Sequence, residues 1–416
     1  MTAARTSPVV FLVLILPFGV MSGYLSVAVA WELSHAGLSV EEVAALVAAS
    51  FIPHTWKFLW APAADTTLRR KTWYLWAGAV SAVGIWATGA VPASASYLPL
   101  LYAVVLVSNF AVTFLAMSVE SMMAYGTPPE QQGRAAGWFQ AGNLGGFGLG
   151  GGAGLWMIEH LQAPWISGAV LGIACALCCV ALAFVSEPPS DLRTGSHRRR
   201  LAEVLKDLWH VARSRPGYLA LLICFLPIGT GAASNLWSAV ADDWHATADT
   251  VALVTGVLNG VVSAAGCLAG GYLADRIDRK TAYALYGLAL AVCAVAMAWA
   301  PRIESMYVLF TLLYAFIQGL SYAGFSAVAL EAMGLGAAAT KYTLFASLSN
   351  MPIMFMTMID GAAHTRWGVG GMLYTEAVIG VIGLVVFVAV TAATAGGLRA
   401  VSQSASAGPS GSLDGR

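Results

Sequence analysis

The chain reads as an all-α membrane protein with twelve transmembrane helices in two pseudo-symmetric six-helix bundles, and three observations carry that expectation. Hydrophobic residues fill 58% of its 416 positions and charged residues only 10%, against roughly 25% charge in soluble domains. Its apolar runs are even in number, and the connections between them alternate between strongly basic and nearly free of Lys and Arg. The two halves also repeat the same polar signatures at matching places, the mark of a duplicated bundle.

Near-continuous apolar runs lie at 8–31, 42–63, 72–91, 97–125, 136–158, 164–185, 217–240, 250–273, 281–300, 305–332, 342–363 and 371–394. About 20 residues suffice for a helix to cross the hydrocarbon core, so each run is a span. The first contains Ala28-Val29-Ala30, which resembles a cleavage site, but its apolar stretch is longer than that of a secretory signal, and it is expected to stay as helix 1. Ser39 and Glu42 form a capping box that opens the second run. Pro92, Pro128, Pro129, Pro164, Pro216 and Pro301 fall between runs, where a missing N–H does least harm.

Orientation follows from Lys and Arg, because positively charged connections stay cytoplasmic. With both termini inside, 18 of the 21 basic residues lie in inner segments, Arg302 and Arg366 lie outside, and Lys57 sits within a span. A multi-pass protein of the inner membrane with both ends cytoplasmic is the expectation. The chain then divides into a bundle at 1–186, a cytoplasmic linker at 187–215, a second bundle at 216–394 and a disordered tail at 395–416. In the linker, Leu201, Val204, Leu205, Leu208 and Trp209 recur at helical spacing beside Lys and Arg, a pattern suited to a helix lying on the membrane surface.

Several functions are excluded by composition. Twenty-one acidic residues balance 21 basic ones, so no basic field favours nucleic acid. The six cysteines all sit in apolar runs and read as packing groups; Cys175 and Cys178 have a metal-like spacing but no second pair or histidine beside them, so neither a metal nor a cofactor is expected. No grouping is legible as catalytic and no ATP-binding motif is present, so the chain is not expected to be an enzyme.

Asp65-Thr-Thr-Leu-Arg69-Arg70-Lys71-Thr72 follows the second run, and Asp275-Arg276-Ile-Asp278-Arg279-Lys280-Thr281 follows the eighth, 210 residues later. Glu120, Arg134 and Asn143 in the first half answer to Glu331, Lys341 and Asn350 in the second, with nine residues from the basic residue to the Asn in both. Duplicated halves of this kind place a substrate site at their interface and rock around it. Gly271-Tyr-Leu-Ala-Asp275-Arg276-Ile-Asp278-Arg279-Lys280 resembles the loop signature of the major facilitator superfamily. Leu16-Pro17-Phe18-Gly19, Gly37-Leu38-Ser39-Val40-Glu41-Glu42-Val43, Trp56-Lys57-Phe58-Leu59-Trp60-Ala61-Pro62 and Lys341 through Asn350 are similar to the AmpG-type muropeptide permeases and the related acetyl-coenzyme A and siderophore permeases. Where that group carries two aspartates near the inner end of helix 4, this chain has Val119 and Met123, with Glu120 offset by one residue.

Charges within spans are costly and mark function, which singles out Lys57, Glu120 and Glu331. Lys57 and Glu120 lie at compatible depths for an ion pair between helices 2 and 4, the alternative being a snorkelling lysine. Glu120 and Glu331 are candidates for proton coupling, Glu331 alternatively pairing with Lys341. The resemblance implies gating roles for Asp65, Arg69, Arg70, Asp275, Arg276 and Arg279. Gly142, Gly146, Gly150 and Gly154 recur every four residues and, with Gly256 and Gly260 of the eighth run, are expected to form a smooth contact between the halves. Tyr24, Trp56, Lys57, Glu120, Asn143, Asn235, Trp237, Gln318, Tyr322 and Asn350 are candidates to line a polar cavity. The resulting expectation is a monomeric secondary transporter that moves a polar organic solute by alternating access, with protons as partners; a non-transporting receptor or scaffold and a proton-driven exporter are the alternatives.

Overall fold

The structure, a computed structural model, describes residues 7–126, 132–185, 221–274, 276–333, 344–345 and 347–406, with scattered positions between 198 and 213. Its helices, in chain order, are α1 Val10–His35, α2 40–66, α3 Arg70–Ala90, α4 Leu98–Gly126, α5 132–160 and α6 Pro164–Phe184. The second half follows with α7 221–244, α8 Ala248–Ala274, α9 Arg279–Trp299, α10 Glu304–Met333, α11 350–367 and α12 369–406. The described positions between 198 and 213 are helical, and Arg213 lies 4.5 Å over the Trp209 ring, one turn away.

Local sequence explains the interruptions. The capping box is formed: Ser39 Oγ accepts from Glu42 N at 3.3 Å while Glu42 Oε2 accepts from Ser39 N at 2.8 Å. In α2, Pro53 precedes a tight 3₁₀ turn at Lys57–Leu59 before helix resumes at Ala61–Thr66. The run at 217–240 was expected to be one continuous helix, yet α7 is broken. Pro227 lacks a donor, Gly229 and Gly231 take left-handed φ of 58° and 67°, and the chain continues as 3₁₀ turns at Ala232–Leu236 and Ala241–Trp244. The gap expected between the last two runs shrinks to Gly368 (φ 67°), and α12 continues to Ser406, through residues expected to be disordered. Ala, Leu and Gln, with no Pro before that point, sustain it. Among the described residues seven helices are long and apolar enough to cross a membrane, α11 and α12 counting together as one of them. The interruptions in α2 and α7 shorten their helical pieces.

Packing repeats between the halves. In the first, α2 packs on α4, α3 on α4, and α3 on α6. In the second, α8 packs on α10, α9 on α10, and α9 meets α12 through the Tyr283–Phe387 ring contact at 5.8 Å. The halves touch through two crossings that are themselves a matched pair, α2 with α11 and α5 with α8. Widened turns in α1 (Tyr24–Val29), α5 (Leu149–Ala153) and α8 (Ala252–Leu258) lie against one another at the α5–α8 crossing.

Candidate functional site

Polar side chains of the second bundle gather around the break in α7. Gln318 Nε2 of α10 lies 3.3 Å from Gly231 O, 3.3 Å from Ser234 Oγ and 3.1 Å from Tyr322 OH. A side chain at residue 231 would collide with Gln318, so glycine is needed there for space as well as for φ. Asn235 Nδ2 donates to Thr357 Oγ1 of α11 at 3.1 Å. Beneath this layer Glu376 of α12 accepts at Oε1 from Tyr314 OH (2.9 Å) and Thr230 Oγ1 (3.4 Å). Asp360 of α11, fully buried, completes the group.

In the first bundle, α2 is joined to α4 by polar contacts along its length. Lys57 Nζ lies 3.6 Å from Glu120 Oε1, the ion pair that the depths of the two residues anticipate. Trp60 Nε1 donates to Thr113 Oγ1 at 3.0 Å, and His54 Nε2 lies 3.1 Å from Asn109 Oδ1. Near the same end as the Lys57 pair, Arg70 Nε donates to Ser121 Oγ at 2.9 Å.

The end of the molecule away from both chain ends is closed. The 3₁₀ turn at Ala241–Trp244 sits between the halves, with Asp242 Oδ1 3.3 Å from His35 Nε2 of α1 and Asp243 Oδ2 2.6 Å from His364 Nε2 of α11. Arg302 lies 4.2 Å over the Trp244 ring, and desolvation there draws its pKa down. Ser238 Oγ donates to Ser26 O of the other half at 2.7 Å. At the opposite end Phe58 of α2 packs with Cys224, Leu344, Phe345 and Leu348 of the second half.

Two bundles with matched internal packing meet at two matched crossings, and comparison with known proteins identifies that fold. The sequence model of the Major Facilitator Superfamily matches residues 10–350. The chain belongs to that superfamily. Solved structures of the superfamily's transporters share the fold. The nucleoside transporter NupG superposes with a TM-score of 0.70 at 12% identity, covering 92% of this chain and 98% of its own. A bacterial homologue of the human lysosomal transporter Spinster, inward-facing and unoccupied, gives 0.71 at 14% identity, covering 94% and 97%. The xylose transporter XylE from E. coli, in an inward-open conformation, gives 0.65 at 16% identity, covering 91% and 94%. No curated protein matches the sequence. Membership makes the chain a multi-pass membrane transporter rather than an enzyme.

Several of the side chains expected in the cavity are elsewhere. Tyr24 is buried, shares a 2.7 Å hydrogen bond with Ser167 of α6, and packs against Gly154, so it joins helices within one bundle. Trp56 lines an apolar groove of about 540 Å³ between α2 and α4 with Pro53, which is buried, and with Ile52, Leu59 and Phe110, which like Trp56 are exposed on the flank of the bundle. Trp237 is buried, its carbonyl accepting from Tyr307 OH at 2.9 Å. Asn143 reaches Gln140 of its own helix at 3.5 Å, and Asn350 donates to Ser347 O at 3.1 Å. Gln318, Tyr322 and Asn235 do meet around the α7 break, as Lys57 and Glu120 meet in the other half.

The glycine stripe is corrected as well. A Cβ at Gly142, Gly146 or Gly150 would collide with Leu12 O, Leu16 O or Val20 O of α1, so the four-residue stripe packs inside the first bundle and not between halves. The contact with α8 falls on the other face: a Cβ at Gly256 would meet Gly152 Cα at 2.6 Å, one at Gly148 would meet Gly256 O at 3.4 Å, and one at Gly260 would meet Leu144 O at 3.1 Å. Of the gating candidates, Arg69 and Arg279 are exposed and Arg276 lies 3.9 Å over the Tyr272 ring. Asp275 and the side chains of Asp65 and Glu331 lie outside the described residues. Sequence reasoning passed over Asp360 and Glu376, although both are acidic residues inside predicted spans.

Proposed function

We propose that the chain is a secondary active transporter that carries a polar organic solute across the inner membrane by alternating access, as a monomer with both termini cytoplasmic and with protons as the coupling ion. The observation that carries the reading is the pair of matched crossings, α2 on α11 and α5 on α8, combined with closure of the far end by Ser238 on Ser26 and His35 on Asp242. Contacts between bundles made of small residues and a few hydrogen bonds are of a kind that can part and re-form, whereas each bundle is tied internally by Lys57–Glu120, Tyr24–Ser167 and Gln318–Gly231. Basic residues concentrated at the end that holds both termini support the assignment of that end to the cytoplasm. Asp65, Arg69, Arg70, Asp275, Arg276 and Arg279 are the gating candidates, and by sequence they belong to the basic connections assigned to that end.

The resemblance to AmpG-type permeases supports a muropeptide-like or siderophore-like cargo. The test is flux in proteoliposomes: the purified chain should accumulate labelled muropeptide or labelled siderophore when an inward pH step is imposed. Binding of either probe without flux would mean a receptor, and accumulation unchanged by the pH step would remove protons from the reading. Glu120→Gln and Glu331→Gln variants, assayed alongside, place coupling at those residues when the pH dependence moves and clear them when it does not.

A further inference from the structure

The second bundle buries two carboxyl groups against each other. Asp360 is 0% exposed and Glu376 is 6% exposed, and the two side chains stand within hydrogen-bonding reach of one another. Apart from that mutual contact, both oxygens of Asp360 and Oε2 of Glu376 have no partner. Two ionised carboxylates are acceptors only, so the contact becomes a hydrogen bond when one of them carries a proton.

The groups that face the pair come from every neighbouring helix. Tyr314 of α10 donates to Glu376, Thr230 of α7 does the same more weakly, and Cys293 of α9 stands beside Tyr314. Trp237 of α7 packs edge-on to Tyr314 with ring centres 5.2 Å apart, and its buried Nε1–H is unpartnered. His364, one turn along α11, is taken by Asp243, while Glu41 of α2 passes beside Gly361 but is itself exposed. No Lys or Arg among the described residues faces the pair, so no fixed cation neutralises it. That leaves a mobile cation, and two facing carboxyls whose hydrogen-bond donors are the Tyr314 and Thr230 hydroxyls are built for the smallest one.

We propose that Asp360 and Glu376 form one proton-binding site and that its proton is the one coupled to transport. The second clause rests on the transport reading above; the first does not. A proton leaves hydronium as its O–H bond there breaks, bonds to one carboxylate oxygen and is shared with the other carboxyl, leaving water behind; nothing is oxidised or reduced. The site is wired to a moving part. Thr230 lies between Gly229 and Gly231 in the break of α7, its Oγ1 accepting from Ala232 N at 3.4 Å while donating to Glu376. Loss of the proton puts two negative charges together in a dry site, which forces the carboxyls apart or toward water and releases the hold of Glu376 on the α7 break.

The test uses the full chain in lipid vesicles and infrared difference spectra between neutral and alkaline buffer. Wild type is expected to show a protonated-carboxyl C=O band that disappears in alkali; Asp360→Asn with Glu376→Gln is expected to lose it, and Glu376→Asp to keep it with a shift. Persistence of the band in the double variant, or its absence from wild type while the protein is folded by circular dichroism, overturns the site. Sodium added at fixed neutral pH is expected to leave the band alone; its disappearance there would make this a metal-cation site and overturn the proposal. Pre-steady flux of the same labelled probes then separates the two clauses. If the band is lost in the double variant but its pH-driven flux equals wild type, coupling lies elsewhere. If wild type carries neither probe, the transport reading of those cargoes fails while the band still decides the site.

Discussion

At the scale of single residues, the Lys57–Glu120 pair is the contact whose energetics can be isolated most cleanly. Its side chains are 15% and 36% exposed, enough burial that removing one charge strands the other. Lys57→Ala and Glu120→Ala are each expected to lower the melting temperature in detergent. The double variant should lose little more than either single one, a coupling of about 0.5–3 kcal/mol. Strictly additive losses would mean that the two groups do not interact. Asp278 offers a second residue-scale prediction. It caps α9, accepting from Thr281 N and Thr281 Oγ at 2.9 Å, and those bonds hold its carboxyl below the usual carboxylate range. A carboxyl so depressed stabilises the fold above its unfolded pKa and loses that contribution as pH falls through the folded value. Asp278→Ala should therefore cost at most about 1 kcal/mol at neutral pH, the capping figure held down by solvent exposure. The gap from wild type should close in strong acid, and a gap that widens there would contradict the cap. The missed pair, Asp360 and Glu376, shows why residues are harder to read than patterns. Asn143 and Asn350 stand 207 residues apart, and at that offset the two acids align with Ala153 and Ala169. A search guided by what the halves share passes over what only one half has.

At the scale of helices, spacing gave the stripe on α5 but not its neighbour. Glycine every four residues fixes one smooth face, and two faces of α5 are glycine-rich, so periodicity alone leaves open which meets α1 and which meets α8. The structure assigns Gly142, Gly146 and Gly150 to α1 and Gly148 with Gly152 to α8. Substitutions should divide accordingly. Gly146→Ala drives a methyl group into Leu16 O, backbone that cannot move aside, and is expected to cost roughly 1–3 kcal/mol in thermal stability. Gly148→Ala meets Gly256 O at an ordinary 3.4 Å and should leave the melting temperature unchanged within about 0.5 kcal/mol. Equal losses in the two variants would mean that both faces are packed alike. The break in α7 was legible in part, since Pro227, Gly229 and Gly231 stand together in the sequence, yet hydropathy counts them as apolar and reads a continuous span. Breakers inside an apolar run are tolerated where another helix satisfies the freed backbone, and Gln318 does so here.

For the molecule as a whole, the twelve-run count, the basic inner connections and the internal repeat anticipated the two-bundle fold, because each is set by the bilayer and by duplication instead of by particular contacts. Which ends touch is set by conformation, and no sequence pattern encodes that. Far-end closure joins α1 to α7 through Ser238 Oγ and Ser26 O at 2.7 Å, across the boundary between halves. Alternating access requires that contact to part once in each cycle, whereas contacts within a bundle can persist throughout. Cysteines replacing Ser26 and Ser238 should therefore crosslink on oxidation, and the crosslinked protein should retain its fold but lose probe flux in proteoliposomes. Flux should return on adding reductant, because the covalent tie acts only by holding one state. The six native cysteines lie buried or partly buried, so the wild type supplies the background, which oxidation should leave unaffected. Undiminished flux through the crosslinked chain would show that this end does not open during transport, and the rocking of two bundles would have to be replaced by movement of α7 alone.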